Sequence, residues 1–189
     1  ITPPLHNVAA AATQLASKAT TTSTLQISNF STSTLSSTDD SSNCLAVDDF
    51  DDTEVKIARE IAKIKALKEI SFHSFNLTDS FIERFGIALT ETKLNESIRK
   101  LDFTGCKQIT TISMLENMKN LESLSLALCT SLIEIVSLKH LQKLKWLDLT
   151  CCNGIYSSDS NPYLYFAESV SIYLKYIDLT GCKKVNDNV

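Results

Sequence analysis

Leu121-x-x-Leu124-x-Leu126-x-x-Cys129 is followed at once by a second copy of itself, Leu144-x-x-Leu147-x-Leu149-x-x-Cys152. The same spacing recurs upstream as Ile98, Leu101, Phe103 and Cys106, and downstream as Leu174, Ile177, Leu179 and Cys182. A fifth copy, Leu67, Ile70, Phe72 and Phe75, carries a phenylalanine in the cysteine's place. The second apolar position advances from 70 to 101, 124, 147 and 177, in steps of 31, 23, 23 and 30 residues. Three residues past each cysteine stands another apolar residue: Ile109, Leu132, Ile155 and Val185. Apolar residues two apart lie on one face of a strand, and a repeat of this length cannot close its own apolar side without a neighbour.

Each copy therefore predicts a short strand whose inward residues enter a shared core. The cysteine turns in at the strand's end, where a small thiol fits close to the backbone. The remaining residues return over the far side, as a helix where the step is long. Asp79–Leu94, with Phe81, Ile82, Phe85, Ile87, Ala88 and Leu89, has the amphipathic pattern of such a helix.

With these residues in hand, the chain resembles the cysteine-containing leucine-rich repeats, most closely at Leu101 to Thr110 and at Ile177 to Asp187. The resemblance covers residues 66–189 and implies an α/β leucine-rich-repeat solenoid of about five repeats. Two groups with this repeat are relevant. One is the substrate-recognition half of F-box ubiquitin-ligase adaptors. The other is a set of small mitochondrial proteins similar to the ATP synthase coupling factor B and the distal-membrane-arm assembly protein of respiratory complex I. Size and layout resemble the second group. They imply a non-catalytic accessory or assembly subunit of a large respiratory-chain or ATP synthase complex, in the mitochondrial matrix or on the inner membrane. An F-box-type substrate receptor is the alternative, although the residues before the repeats do not supply its helical adaptor segment.

Residues 1–52 read as an extended tail and acidic linker, and residues 53–189 as the repeat domain with an N-terminal capping helix. Residues 1–38 contain no Asp, Glu or Arg, one lysine (Lys18), and much Ala, Ser and Thr. That composition fits either the remnant of an organellar leader or a solvated linker. A segment so poor in large apolar residues is expected to be disordered alone and to gain order against a partner. The chain begins at Ile1. Asp48, Asp49, Asp51, Asp52 and Glu54 precede a helical pattern with Thr53 as N-cap and Ile57, Ile61 and Ile64 on one stripe. The acidic run either caps that helix or docks a basic partner.

The whole chain has 189 residues, 43% of them hydrophobic, a net charge of −4 and a pI near 5.4. No global positive field favours nucleic acid, and no apolar run reaches the roughly 18–20 residues that span a bilayer. Contact with a membrane is expected only through partners. Cys106, Cys129, Cys152 and Cys182 recur at one repeat position and are expected to be buried structural thiols in a reducing compartment; the remaining two are Cys44 and Cys151. No C-x-x-C pair occurs, so neither metal nor other cofactor is expected. Cys151, beside an inward Cys152, is the candidate modifiable thiol. The three histidines, His6, His73 and His140, are too far apart in the pattern to assemble with a nucleophile, and no glycine-rich phosphate loop is present. No small-molecule substrate is implied.

Function is expected on the outward strand residues, which fall into columns. The first is Glu69, Lys100, Ser123, Trp146 and Tyr176; the second is Ser71, Asp102, Ser125, Asp148 and Asp178; the third is His73, Thr104, Ala127, Thr150 and Thr180. Trp146 and Tyr176 should be neighbours flanked by Asp148 and Asp178, an aromatic anchor for another protein subunit. Lys100 and Asp102 complete the candidate protein-binding set. The aspartates also have a structural reading, hydrogen bonding along the strand ladder. Lysines 139, 143, 145, 183 and 184 read as a solvated face. The strand at 176–180 is an expected open edge, either covered by a partner or exposed where the chain is cut.

Overall fold

The computed structural model describes residues 24–26, 61, 64, 67–74, 77–155 and 173–183. Six three-residue strands form one parallel sheet in chain order: β1 Thr24–Gln26, β2 Glu69–Ser71, β3 Lys100–Asp102, β4 Ser123–Ser125, β5 Trp146–Asp148 and β6 Tyr176–Asp178. Equivalent residues of the five aligned segments pair directly: Ile70 with Leu101, Leu101 with Leu124, Leu124 with Leu147, and Leu147 with Ile177. A slip of one residue would turn every inward side chain out, so the apolar spacing itself holds this register.

The ladder runs on past each strand. Phe103 N–H donates to Ser125 O at 2.9 Å and Leu126 N–H to Asp148 O at 2.8 Å. Two residues later, Gly105 N–H donates to Ala127 O and Leu128 N–H to Thr150 O, both at 2.7 Å. These last donors sit in a left-handed turn. Ser74, Gly105, Leu128, Cys151 and Gly181 occupy it in successive segments, with φ between 59° and 77°. Glycine suits that conformation. At Gly181 a Cβ would also stand 2.8 Å from Cys151 Sγ.

One residue past Gly105, Leu128, Cys151 and Gly181, the chain turns into the core. Cys106, Cys129, Cys152 and Cys182 are buried, and each thiol donates to a carbonyl of the preceding segment: Phe72, Phe103, Leu126 and Leu149, at 2.9–3.2 Å. The Phe103, Leu126 and Leu149 oxygens also accept the cysteine N–H of their own segment at 3.0–3.1 Å. Both lone pairs are thus used at each corner. Burial pushes the Cys129 thiol up to about 12, and raises Cys152 and Cys182 for the same reason. These sulfurs stay protonated donors.

The return segments follow the step lengths. After β2 comes α1, Asp79–Glu91, capped by Thr78, whose Oγ1 accepts the Phe81 N–H at 3.2 Å. Phe81, Ile82, Phe85, Ala88 and Leu89 are buried beneath it. Ile87, expected on that stripe, lies instead on the outer side, 58% exposed. The helix also stops before Leu94: the Thr92 hydroxyl donates to Ala88 O at 2.7 Å, and Lys93 takes a left-handed conformation before a 3-10 turn at Leu94–Glu96. The two 23-residue steps leave room only for 3-10 turns, Ser113–Asn117 and Val136–His140.

Phe72, Phe81, Phe85 and Phe103 pack at one end of the core, with centroids 5.3–5.7 Å apart in edge and stacked arrangements. Leucines fill the equivalent places further along. Asp79 joins α1 to the next segment by accepting from the Thr110 N–H and hydroxyl and the Thr111 N–H.

Three expectations change. Residues 1–52 are not wholly without structure of their own, because β1 lies within them and pairs with β2, Leu25 opposite Ile70. Ile177, expected inward like Leu147, is 37% exposed; among the described residues β6 has a strand on one side only. Ala127, placed among the outward residues, is buried outside the main core. Of the capping helix, Ile61 is helical, and it and Ile64 enter the core; Thr53, Ile57 and the acidic run lie outside the described residues. So do Cys44, Phe75, Lys184 and Val185.

Candidate interaction surface

The face of the sheet away from the core carries the first two predicted columns in register. Lys100 stands beside Ser123, Ser123 beside Trp146, and Trp146 beside Tyr176. The Trp146 and Tyr176 rings stack with centroids 5.8 Å apart and planes 6° from parallel. They remain 36% and 47% exposed, so a large aromatic area faces outward. Two rings on neighbouring strands hold each other upright at little entropic cost, which prepares them for contact.

The second column serves the backbone first. Oδ1 of Asp102, Asp148 and Asp178 accepts the N–H two residues on, from Thr104, Thr150 and Thr180, at 2.8–2.9 Å. Each bond closes the turn that leads into the left-handed position. The second oxygens differ. Asp102 Oδ2 accepts from Ser71 Oγ at 2.9 Å, and Asp178 Oδ2 from Tyr176 OH at 3.2 Å. No hydrogen bond among the described residues falls on Asp148 Oδ2. The hydroxyl and backbone N–H of Thr180 hold the Asp178 carboxyl below its ordinary range, while the Asp178 charge raises the Tyr176 phenol. The predicted aspartate set is therefore partly scaffold, and Asp148 has the most to offer a partner.

Lys100 is paired across the strands with Glu69 at 3.0 Å. Exposed pairs of this kind contribute little to stability and screen each other's charge. A hollow of about 310 Å³ opens between them and Trp146, floored by Ser123, Ser125 and Leu101. Thr24 of β1 and Asp102 complete its wall. Beside the sheet, Lys145 bonds Glu122 at 2.6 Å, which holds that carboxyl low, and Lys143 bonds Asn120 at 2.7 Å. Two of the lysines read as a solvated face are thus engaged in local bonds.

A second hollow, about 450 Å³, lies on the far side between α1 and the Ser113–Asn117 turn. Sequence reading missed it. Ile87, assigned to the buried stripe, is part of its wall, and Gly86 allows α1 to come so close that an added Cβ would meet Met114 Cβ at 2.6 Å. His73 is exposed, at the end of β2, and His140 is exposed at the end of the Val136–His140 turn. Among the described residues no group of three His, Cys, Asp or Glu side chains could hold a metal ion, and no helix is long and apolar enough to cross a membrane. Cys151 is half-buried in its left-handed turn. No protein-family profile and no curated protein matches the chain.

Proposed function

We propose that the chain is a short leucine-rich-repeat solenoid acting as a non-catalytic interaction scaffold, whose concave face receives another protein subunit. The observation that carries this reading is the exposed, mutually stacked Trp146–Tyr176 pair on β5 and β6, on a face whose ionic groups are largely engaged in turns and in the Glu69–Lys100 pair. Paired aromatics held in place before binding are the residue type that dominates interface energetics. The repeat reading is supported by the in-register pairing of the aligned segments and by the cysteine-to-carbonyl ladder that links one segment to the next.

The setting we propose is an accessory or assembly subunit of a large mitochondrial complex of the respiratory chain or ATP synthase. Its support is the resemblance of the repeats, together with the acid-free, Ser/Thr/Ala-rich composition of residues 1–38, which fits an organellar leader. Native-gel separation of mitochondrial membranes tests it: the chain should migrate with one of those complexes, and migration solely with a cytosolic ligase adaptor would point to the substrate-receptor class instead.

The interface itself is tested on the assembly that co-purifies with the full chain. Trp146→Ala combined with Tyr176→Ala should weaken that association at least about 30-fold, the equivalent of roughly 2 kcal/mol for loss of a binding hot spot. Unchanged affinity in a variant with wild-type circular dichroism and urea midpoint would show that another surface is used.

A further inference from the structure

Resting on the interaction reading above, we infer that the notch over β4 seats an arginine side chain of the partner protein, stacked on Trp146 and held between the Asp102 and Asp148 carboxylates. The notch exists because β4 alone presents serine in both outward columns, Ser123 and Ser125, between larger residues on β3 and β5. Tyr176 covers the β6 side of the Trp146 indole, so the opposite face of the ring looks over Ser123 into the hollow that Trp146 itself lines.

Charge and distance then select the occupant. Glu69 and Lys100 cancel as a pair, leaving the Asp102 and Asp148 carboxylates as the uncompensated charges beside the notch. Their strands are separated by β4, roughly 9–10 Å at the sheet's strand spacing. A guanidinium lying on the ring keeps its N–H donors in its own plane, so they run along the strands toward the second column, where the flanking Asp102 and Asp148 carboxylates lean in to accept; an ammonium has neither the flat face nor the fixed fork of donors. Asp148 Oδ2 carries no hydrogen bond among the described residues, and each aspartate's Oδ1 is fixed by its turn. The acceptors are therefore oriented before the cation arrives.

The chain has one tryptophan, so its fluorescence reports this site alone. The probe is a capped peptide alternating glycine with arginine, titrated into the full chain alongside versions carrying lysine or the uncharged isostere citrulline. The arginine peptide should change Trp146 emission saturably, with the lysine peptide about fivefold weaker and the citrulline peptide at least about tenfold weaker. Asp148→Asn keeps the turn acceptor but removes the charge; Ser123→Leu fills the notch and leaves every charge in place. Each should weaken arginine binding about tenfold with an unchanged urea midpoint. Equal binding of the citrulline peptide, no saturable response, or undiminished affinity in Ser123→Leu would overturn the inference. Should that happen while Trp146→Ala with Tyr176→Ala still abolishes association with the native assembly, the arginine seat fails and the interface reading stands.

Discussion

At the scale of single residues, the cysteines do two things that their spacing foretold only in part. Their burial was legible, since a small apolar side chain recurring at the strand's end belongs to the core. The bond from each thiol to the carbonyl of the segment before it was not, because it depends on turn geometry that no residue pattern encodes. The same is true of the aspartates, whose alternation placed them outward but whose Oδ1 atoms turned out to close their own turns. The thiols make a checkable statement about pH. The Cys129 pKa is about 12 in the folded chain against an ordinary 9.0, so the folded form keeps its proton while the unfolded chain releases it. Stability is then fully present below pH 9 and is lost as pH rises toward 12, at about 1.4 kcal/mol per pH unit for each such thiol. Urea midpoints between pH 8 and 10.5 should fall along this course, and Cys129→Ala should make the fall shallower by one thiol's share. A slope identical in that variant would mean the thiol is not shielded as described.

Among the elements, α1 shows where pattern reading succeeds and where it stops. Phe81, Ile82, Phe85, Ala88 and Leu89 announced a buried stripe, and all five are buried. Ile87 is apolar, and composition alone assigned it inward; at roughly 100° per residue it lies nearly opposite the centre of that stripe, so the helical period itself turns it out. Gly86 lets the Ser113–Asn117 turn press against the helix beside the hollow that Ile87 lines. Two opposing effects meet at Gly86. Replacing it with alanine gains about 1 kcal/mol of helix propensity. The new Cβ, however, would stand 2.6 Å from Met114 Cβ, an atom fixed to the backbone and unable to swing away. Overpacking of this kind costs about 1–3 kcal/mol. Gly86→Ala should therefore lower the urea midpoint despite the better helix former, by a net 1 kcal/mol or so; a raised midpoint would show that α1 and the turn can separate cheaply.

For the whole molecule, the five aligned segments set strand order and register, because a period-two apolar face repeated at matching positions leaves one common interior. β1 was invisible to that logic: Thr24–Gln26 has one apolar residue among polar ones, too little to distinguish from the Ser/Thr-rich residues around it. Its place has a consequence for solubility. β2 would otherwise be the sheet's edge, offering unpaired backbone groups to any other strand, and edges of that kind template association. β1 covers it with a strand that is itself three residues long, too short to extend the sheet far. Removing residues 1–30 should cost about 1–3 kcal/mol, the loss of a few ladder bonds at roughly 1 kcal/mol each. The larger effect should be in sedimentation, where the shortened chain forms concentration-dependent dimers through β2 while the full chain does not. A shortened chain that stays monomeric at all concentrations would show that β2 is protected by something other than β1.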